Sequence, residues 1–207
     1  VYSMPSIPDR TGYIIGESKE NPVPQMVYCG KKLKGIGADI IAVPCITAHY
    51  FHEELEEKIG LPIINAIEET ALCLEEEKVS KVGIMATDGT IKSGLFQRTL
   101  EKRGIEVVLP DIDNQKKVMS IIYDEVKAGK RIDMARFYQV SDMLAKQDAE
   151  TVLLACTELS LIKRDNVLNG TYLDVMEVLA RKAVQRCNRV RAEYDTLLTK
   201  SENVPQG

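Results

Sequence analysis

The chain reads as an α/β protein: two compact α/β lobes with mainly parallel sheets, facing each other. Three observations predict this. Short β-branched runs alternate with longer amphipathic helical patterns, the signature of βαβ units. An apolar run, a cysteine, a threonine and a helix start occur together twice, at residues 38–49 and 149–159. No low-complexity linker separates the halves, so both are expected to be compact. The expected division assigns residues 1–62 plus 173–207 to the first lobe, the last helix packing back onto it, and 63–172 to the second.

The elements follow in order. Residues 22–35 read as a helix, with Pro22 near its start and Gly35 closing it. Ile40–Val43 reads as a buried strand, and His49–Ile59 as a charged amphipathic helix stopped by Gly60. Leu61–Ile64 is a second short strand, followed by a helix over Ala66–Glu77. The cycle restarts with strand Lys81–Ala86, helix Ile91–Arg103, a stop at Gly104 and strand Ile105–Leu109. Helices over Asp113–Lys127 and Ile132–Lys146 flank the break at Ala128-Gly129-Lys130. Strand Thr151–Ala155 precedes a short helix from Thr157. A long helix over Val175–Leu198 leads into a polar, fraying tail.

Composition narrows the function. A 44% hydrophobic and 28% charged chain with net charge −4 is that of an ordinary globular protein. Its basic clusters are interleaved with apolar helix positions, which makes them solvated helix faces and argues against nucleic acid. No apolar run approaches the roughly 18 residues of a membrane span. No signal peptide is visible, and the opening at Val1 leads us to expect residues upstream. Five cysteines without close pairs read as free thiols in a reducing, cytoplasmic setting.

Cys45 and Cys156 differ from the other three. Each ends an apolar strand, where open α/β sheets gather ligands, and each is followed by a helix start whose dipole favours a thiolate. Cys29, Cys73 and Cys187 sit inside helical patterns and read as structural. Two thiols facing one carbon suit proton transfer, one removing an α-proton as thiolate while the other delivers a proton from the opposite face.

The segments Pro-Cys-Ile-Thr-Ala-His (44–49) and Ala-Cys-Thr-Glu-Leu (155–159) resemble the paired signatures of the aspartate/glutamate racemase superfamily. Ile7-Pro8-Asp9-Arg10-Thr11, Ala86-Thr87-Asp88-Gly89-Thr90 and Val126-Lys127-Ala128-Gly129 resemble its aspartate racemase branch. The resemblance implies a cofactor-independent, usually dimeric racemase of a small acidic amino acid, built of two pseudo-symmetric three-layer α/β lobes with the active site between them. Cys45 and Cys156 match the two catalytic positions. Arg10 and Lys127 match basic residues that recognise the distal carboxylate. Thr47, Thr87, Thr90 and Thr157 are implied to hydrogen-bond substrate or thiols, and helix capping is compatible with that role. Glu158 could orient a polar group near Cys156, although an acid in the first turn of a helix needs no functional reason.

This sequence departs from the pattern in three places. Ile46 and Met4 stand where asparagine is usual, removing polarity from the expected pocket. The opening strand and glycine-rich turn of the family are expected upstream of Val1. Three other readings use some of the same residues. Cys45, His49, His52 and Glu53 could serve a metal hydrolase, although their spacing matches no established zinc signature. His49 could act as base to Cys45 in a cysteine hydrolase. A binding protein on a racemase scaffold would account for Ile46 and Met4.

Overall fold

A computed structural model describes residues 1–187 and the backbone of Leu198–Thr199. The helices in chain order are α1 (Arg10–Ile15), α2 (Val23–Gly35), α3 (His52–Ile59), α4 (Ala66–Glu76), α5 (Asp88–Ser93) and α6 (Leu95–Glu101). After them come α7 (Ile112–Ser120), α8 (Met134–Ala145), α9 (Thr157–Asp165) and α10 (Val175–Arg186). The strands are β1 (Lys81–Met85), β2 (Glu106–Val108), β3 (Thr151–Leu154), β4 (Tyr172–Asp174) and β5 (Leu198–Thr199). They form one sheet in the order β2-β1-β3-β4-β5, parallel except for the β4–β5 pair.

Alternation along the central strands splits the core into two layers, because successive strand side chains point to opposite faces. Val82, Ile84, Leu153, Ala155 and Leu173 pack with Leu74 of α4, Phe96 and Leu100 of α6, and Val178 and Leu179 of α10. Met85, Val152, Leu154, Cys156 and Tyr172 pack on the other face with Val118, Phe137, Val140, Leu144 and Leu159. Gly83 is on β1 because a Cβ there would lie 2.9 Å from the Leu144 Cβ of α8. This part of the chain is the α/β architecture that alternation predicts, in three layers.

The N-terminal part has a separate core in which α2 packs on α3 around Val23, Met26, Ile41, Leu55, Ile59 and Ile63. Here the two expected strands are reduced to extended segments joined by one parallel bridge, Ile41 to Ile63. Its hydrogen bonds run from the Ile41 N–H to the Pro62 carbonyl (3.0 Å) and from the Ile64 N–H to the Ile41 carbonyl (2.9 Å). Pro44 and Pro62 lack N–H groups, and a two-stranded parallel pair is weak, so no longer ladder forms.

Several expected boundaries shift for local reasons. The helix expected over His49–Ile59 opens as a 3-10 turn, Ile46–Phe51, before α3. The one expected over Ile91–Arg103 is two helices, α5 starting early at its Thr87 cap and breaking at Gly94, whose φ of 65° is left-handed. The Asp113–Lys127 helix ends in a π-helical turn, Ile121–Val126. Helix α1 and strand β4 were not expected. Of the predicted helix Val175–Leu198, α10 accounts for the part to Arg186, and Leu198–Thr199 is strand. The intervening segment and the tail lie outside the described residues. No described helix is long and apolar enough to cross a membrane.

Candidate active site

Cys156 follows β3 and is the N-cap of α9. Its thiol donates to Glu158 Oε2 at 2.8 Å, and the Thr157 hydroxyl donates to the same oxygen at 2.8 Å. Thr157 therefore serves Glu158 rather than capping the helix. Burial, the Glu158 charge and hydrogen bond, and the nearby Cys45 raise the Cys156 pKa well above that of a free thiol. The Lys127 ammonium lies 3.9 Å from the other Glu158 oxygen and 3.8 Å from the Tyr123 ring centroid. The Tyr123 hydroxyl donates to Asp9 Oδ1 at 3.4 Å. Asp9 in turn caps α1, accepting from the Gly12 N–H at 2.7 Å.

Arg10 is the first residue of that capped helix. Its Nη1 donates to the Ile7 and Pro8 carbonyls at 3.3 and 3.0 Å, which fixes the plane of the fork. Burial works against its charge, but the Cys45 sulfur, Asp9 and Tyr123 outweigh burial and raise its pKa. Arg10 and Cys45 line one cavity of about 390 Å³, whose apolar wall includes Met4, Cys29, Ile41 and Ile63. The Cys29 thiol donates to the Met4 sulfur at 3.6 Å, so Met4 has a partner in that wall. Cys29, Cys45, Cys73, Cys156 and Cys187 are all free thiols.

Thr47, two residues after Cys45, joins Thr87 and Thr90 in a buried triangle of hydroxyls. Thr47 Oγ1 is 3.0 Å from both Thr87 Oγ1 and Thr90 Oγ1, and those two are 3.2 Å apart. Thr87 also caps α5, accepting from the Thr90 N–H at 3.3 Å, so cap and cluster coexist. The triangle depends on Gly89, where a Cβ would lie 2.9 Å from the Thr11 backbone Cα and 3.2 Å from Thr47 Cγ2. Backbone cannot give way as a side-chain tip can, so α1 and α5 must separate to admit a methyl group. Gly89→Ala is expected to cost about 1–3 kcal/mol, as for overpacking generally. A lowered urea midpoint at unchanged slope would register it.

A protein-family model described as Asp/Glu/Hydantoin racemase matches residues 1–183. The chain belongs to this family. Among curated relatives it is 27% identical over 132 residues to the broad specificity amino-acid racemase RacX of Bacillus subtilis, covering 63% of this chain and 57% of RacX. It is 31% identical over 157 residues to a glutamate racemase of Aquifex aeolicus, covering 74% of this chain and 60% of that enzyme. The chain thus spans somewhat over half the length of these two relatives. Among solved structures, the Picrophilus torridus aspartate racemase is 30% identical with a TM-score of 0.76, over 93% of this chain and 81% of that one. An aspartate racemase homologue from Pyrococcus horikoshii is 25% identical with a TM-score of 0.70, over 91% and 82%. These likenesses support the aspartate racemase branch.

In this racemase-family chain the histidines occupy a different role from either hydrolase reading. His49 directs Nδ1 at the Cys45 carbonyl (3.2 Å) and Nε2 at the Ile64 carbonyl (3.4 Å), so neither nitrogen is directed at a thiol. Burial lowers its pKa. His52 Nε2 donates to the Ile63 carbonyl at 2.9 Å. Among the described residues no group of three or more His, Cys, Asp or Glu side chains is arranged to hold a metal.

Sequence reasoning undervalued Glu158 and missed Asp9 and Tyr123. The available signal for Tyr123 was its position four residues before Lys127, one helical turn away. The π-helical turn is what sets that contact. The Lys127 N–H reaches the Ile122 carbonyl at 3.0 Å, five residues back, and such turns recur at functional sites.

Proposed function

We propose that the protein is a cofactor-independent racemase that interconverts L- and D-aspartate, or a related acidic amino acid, with Cys45 and Cys156 as its two acid/base groups. The observation that carries the reading is the asymmetric pair itself. The Cys156 thiol is tied to the Glu158 carboxylate and is near enough to Cys45 for that sulfur to help raise its pKa, while Cys45 lies beside the Arg10 guanidinium. Cys45 as thiolate takes the α-proton, and the electron pair left on Cα delocalises into the adjacent carboxyl group. The Cys156 thiol then delivers its proton to the opposite face. Cys45 ends as thiol and Cys156 as thiolate, so the product complex is poised for the reverse reaction.

The remaining residues have roles that suit their chemistry. Arg10 and Lys127 recognise the distal carboxylate, Arg10 through its planar fork and Lys127 as a point charge. Thr47, Thr87 and Thr90 offer three hydroxyls to the α-carboxylate, and Thr157 helps orient Glu158. Glu158 is a positioning residue that keeps Cys156 in its thiol form until turnover. The reading makes the protein a cytoplasmic homodimer.

The deciding experiment is incubation of each enantiomer of aspartate and glutamate in D2O, with α-deuteration and chirality followed together. Deuterium is expected to enter the α-position as optical rotation is lost, on aspartate before glutamate. Tight amino-acid binding without α-exchange would replace this reading with that of a binding protein on a racemase scaffold.

A further inference from the structure

Thr87 stands between β1 and α5, and the direction of its side chain is set by two backbone torsions, φ −68° and ψ 157°. The peptide planes on both sides of it are tied to one face of α7. In the plane before Thr87, the Ala86 carbonyl accepts from Gln115 Nε2 at 3.0 Å. In the plane after it, the Asp88 N–H donates to the Met119 sulfur at 3.3 Å. That N–H opens α5 and has no partner within the helix. Gln115 Nε2 also donates to Asp88 Oδ1 at 2.7 Å. A primary amide carries two N–H groups on one nitrogen, so both Gln115 bonds form together, and two facing acceptors fix which way the amide points. Gln115 and Met119 are four residues apart and therefore share a helix face.

We propose that Gln115 is a positioning residue for substrate recognition, holding the Ala86 carbonyl and the Asp88 carboxylate so that the Thr87 hydroxyl between them stays aimed, with Thr47 and Thr90, at the α-carboxylate. Stability alone does not account for the amide. Its Oε1 is buried with no hydrogen-bond partner among the described residues, a cost that an apolar side chain of the same length avoids. Thioether sulfur is a weak acceptor, so the tie after Thr87 is the softer one and Gln115 carries most of the hold. The tolerance is small, because Thr87 Oγ1 meets Thr47 Oγ1 at 3.0 Å, Thr90 Oγ1 at 3.2 Å and the Thr90 N–H at 3.3 Å. A cluster of donors serves a ligand only within about 0.5 Å of its productive geometry.

The inference rests on the reading of the three hydroxyls as the α-carboxylate site, but its test needs no turnover. Calorimetric titration of the full chain compares L-aspartate with β-alanine, which keeps the amino group and the distal carboxylate and lacks the α-carboxylate. Gln115→Met is expected to raise the Kd for aspartate about tenfold and to leave that for β-alanine within about twofold, since a misplaced hydrogen bond is worth one to two decades. Gln115→Glu, of the same shape with acceptors where the donors were, is expected to weaken aspartate further than Gln115→Met does. In a Thr87→Val background Gln115→Met is expected to add less than about twofold, because groups that act through one another are not additive. A merely structural glutamine would lower the unfolding midpoint without separating the two ligands. Equal weakening of both ligands, unchanged aspartate binding in a variant with a native unfolding midpoint, or full additivity with Thr87→Val would overturn the proposal. Failure of the racemase reading would instead show as absent α-exchange in the wild-type chain with the separation between the two ligands intact.

Discussion

Cys45→Ala and Cys156→Ala are each expected to lower racemisation of aspartate by about 10²–10⁴-fold, the range that a positioned acid or base contributes. Burial and the Glu158 carboxylate hold Cys156 as thiol well past neutral pH. Each direction needs one thiol and one thiolate, so both reactive forms of the enzyme carry the same number of protons. Because the two enantiomers are equal in free energy, kcat/KM is then the same in both directions at every pH. Both values are expected to fall together at alkaline pH, where Cys156 loses the proton that one direction delivers and the other regenerates. Initial rates from each pure enantiomer over pH 6–10 check this limb. A limb that is absent would mean that Cys156 is not one of the two groups, and unchanged turnover in either alanine variant would sink the two-base mechanism.

What could be read in advance divides along a physical line. The sheet of the second half was legible because period-two alternation, β-branched runs and glycine stops all follow from local chain geometry. Val82, Ile84, Leu153 and Leu154 are each fully buried on the strands expected for them. The N-terminal pair was overestimated by the same rule. Ile40–Val43 has strand-like residues, but a ladder needs a partner with donors, and Pro44 and Pro62 remove two. The π-helical turn at Ile121–Val126 was invisible because its sequence is an ordinary amphipathic helix, and the extra residue shows only in the bond from the Lys127 N–H to the Ile122 carbonyl, five residues back.

The candidate site shows the same division. Cys45, Cys156 and the threonines were found by repetition and resemblance, both of which are properties of the string. Glu158 was undervalued because an acid at a helix start has a sufficient local explanation, and Asp9 was passed over because the short helix it caps was not expected. Only tertiary placement gives each a second partner. Asp9 accepts from Tyr123 Oη as well as from its own helix, and Glu158 holds a thiol, a hydroxyl and an ammonium at once.

Ile46→Asn is expected to destabilise the protein by about 3–5 kcal/mol and to give no gain on aspartate, although it restores the residue usual at that position. Ile46 is 3% exposed and packs in the main core with residues such as Ile64 and Ile67. Truncating it forfeits a buried side chain, about 2–5 kcal/mol in comparable cores. The incoming amide would add about 1–3 kcal/mol if its donors and acceptor found no partners there. Such a sum is a large fraction of the 5–15 kcal/mol that typically separates folded from unfolded states. At roughly 2–4 °C per kcal/mol for a chain of this size, the Tm should fall by about 10 °C. The loss of polarity at this position is then a packing choice coupled to the reduced N-terminal strand pair, whose Ile64 is one of its neighbours. A tenfold rise in aspartate racemisation at an unchanged Tm would show instead that the amide turns into the pocket and that substrate recognition, not packing, governs residue 46.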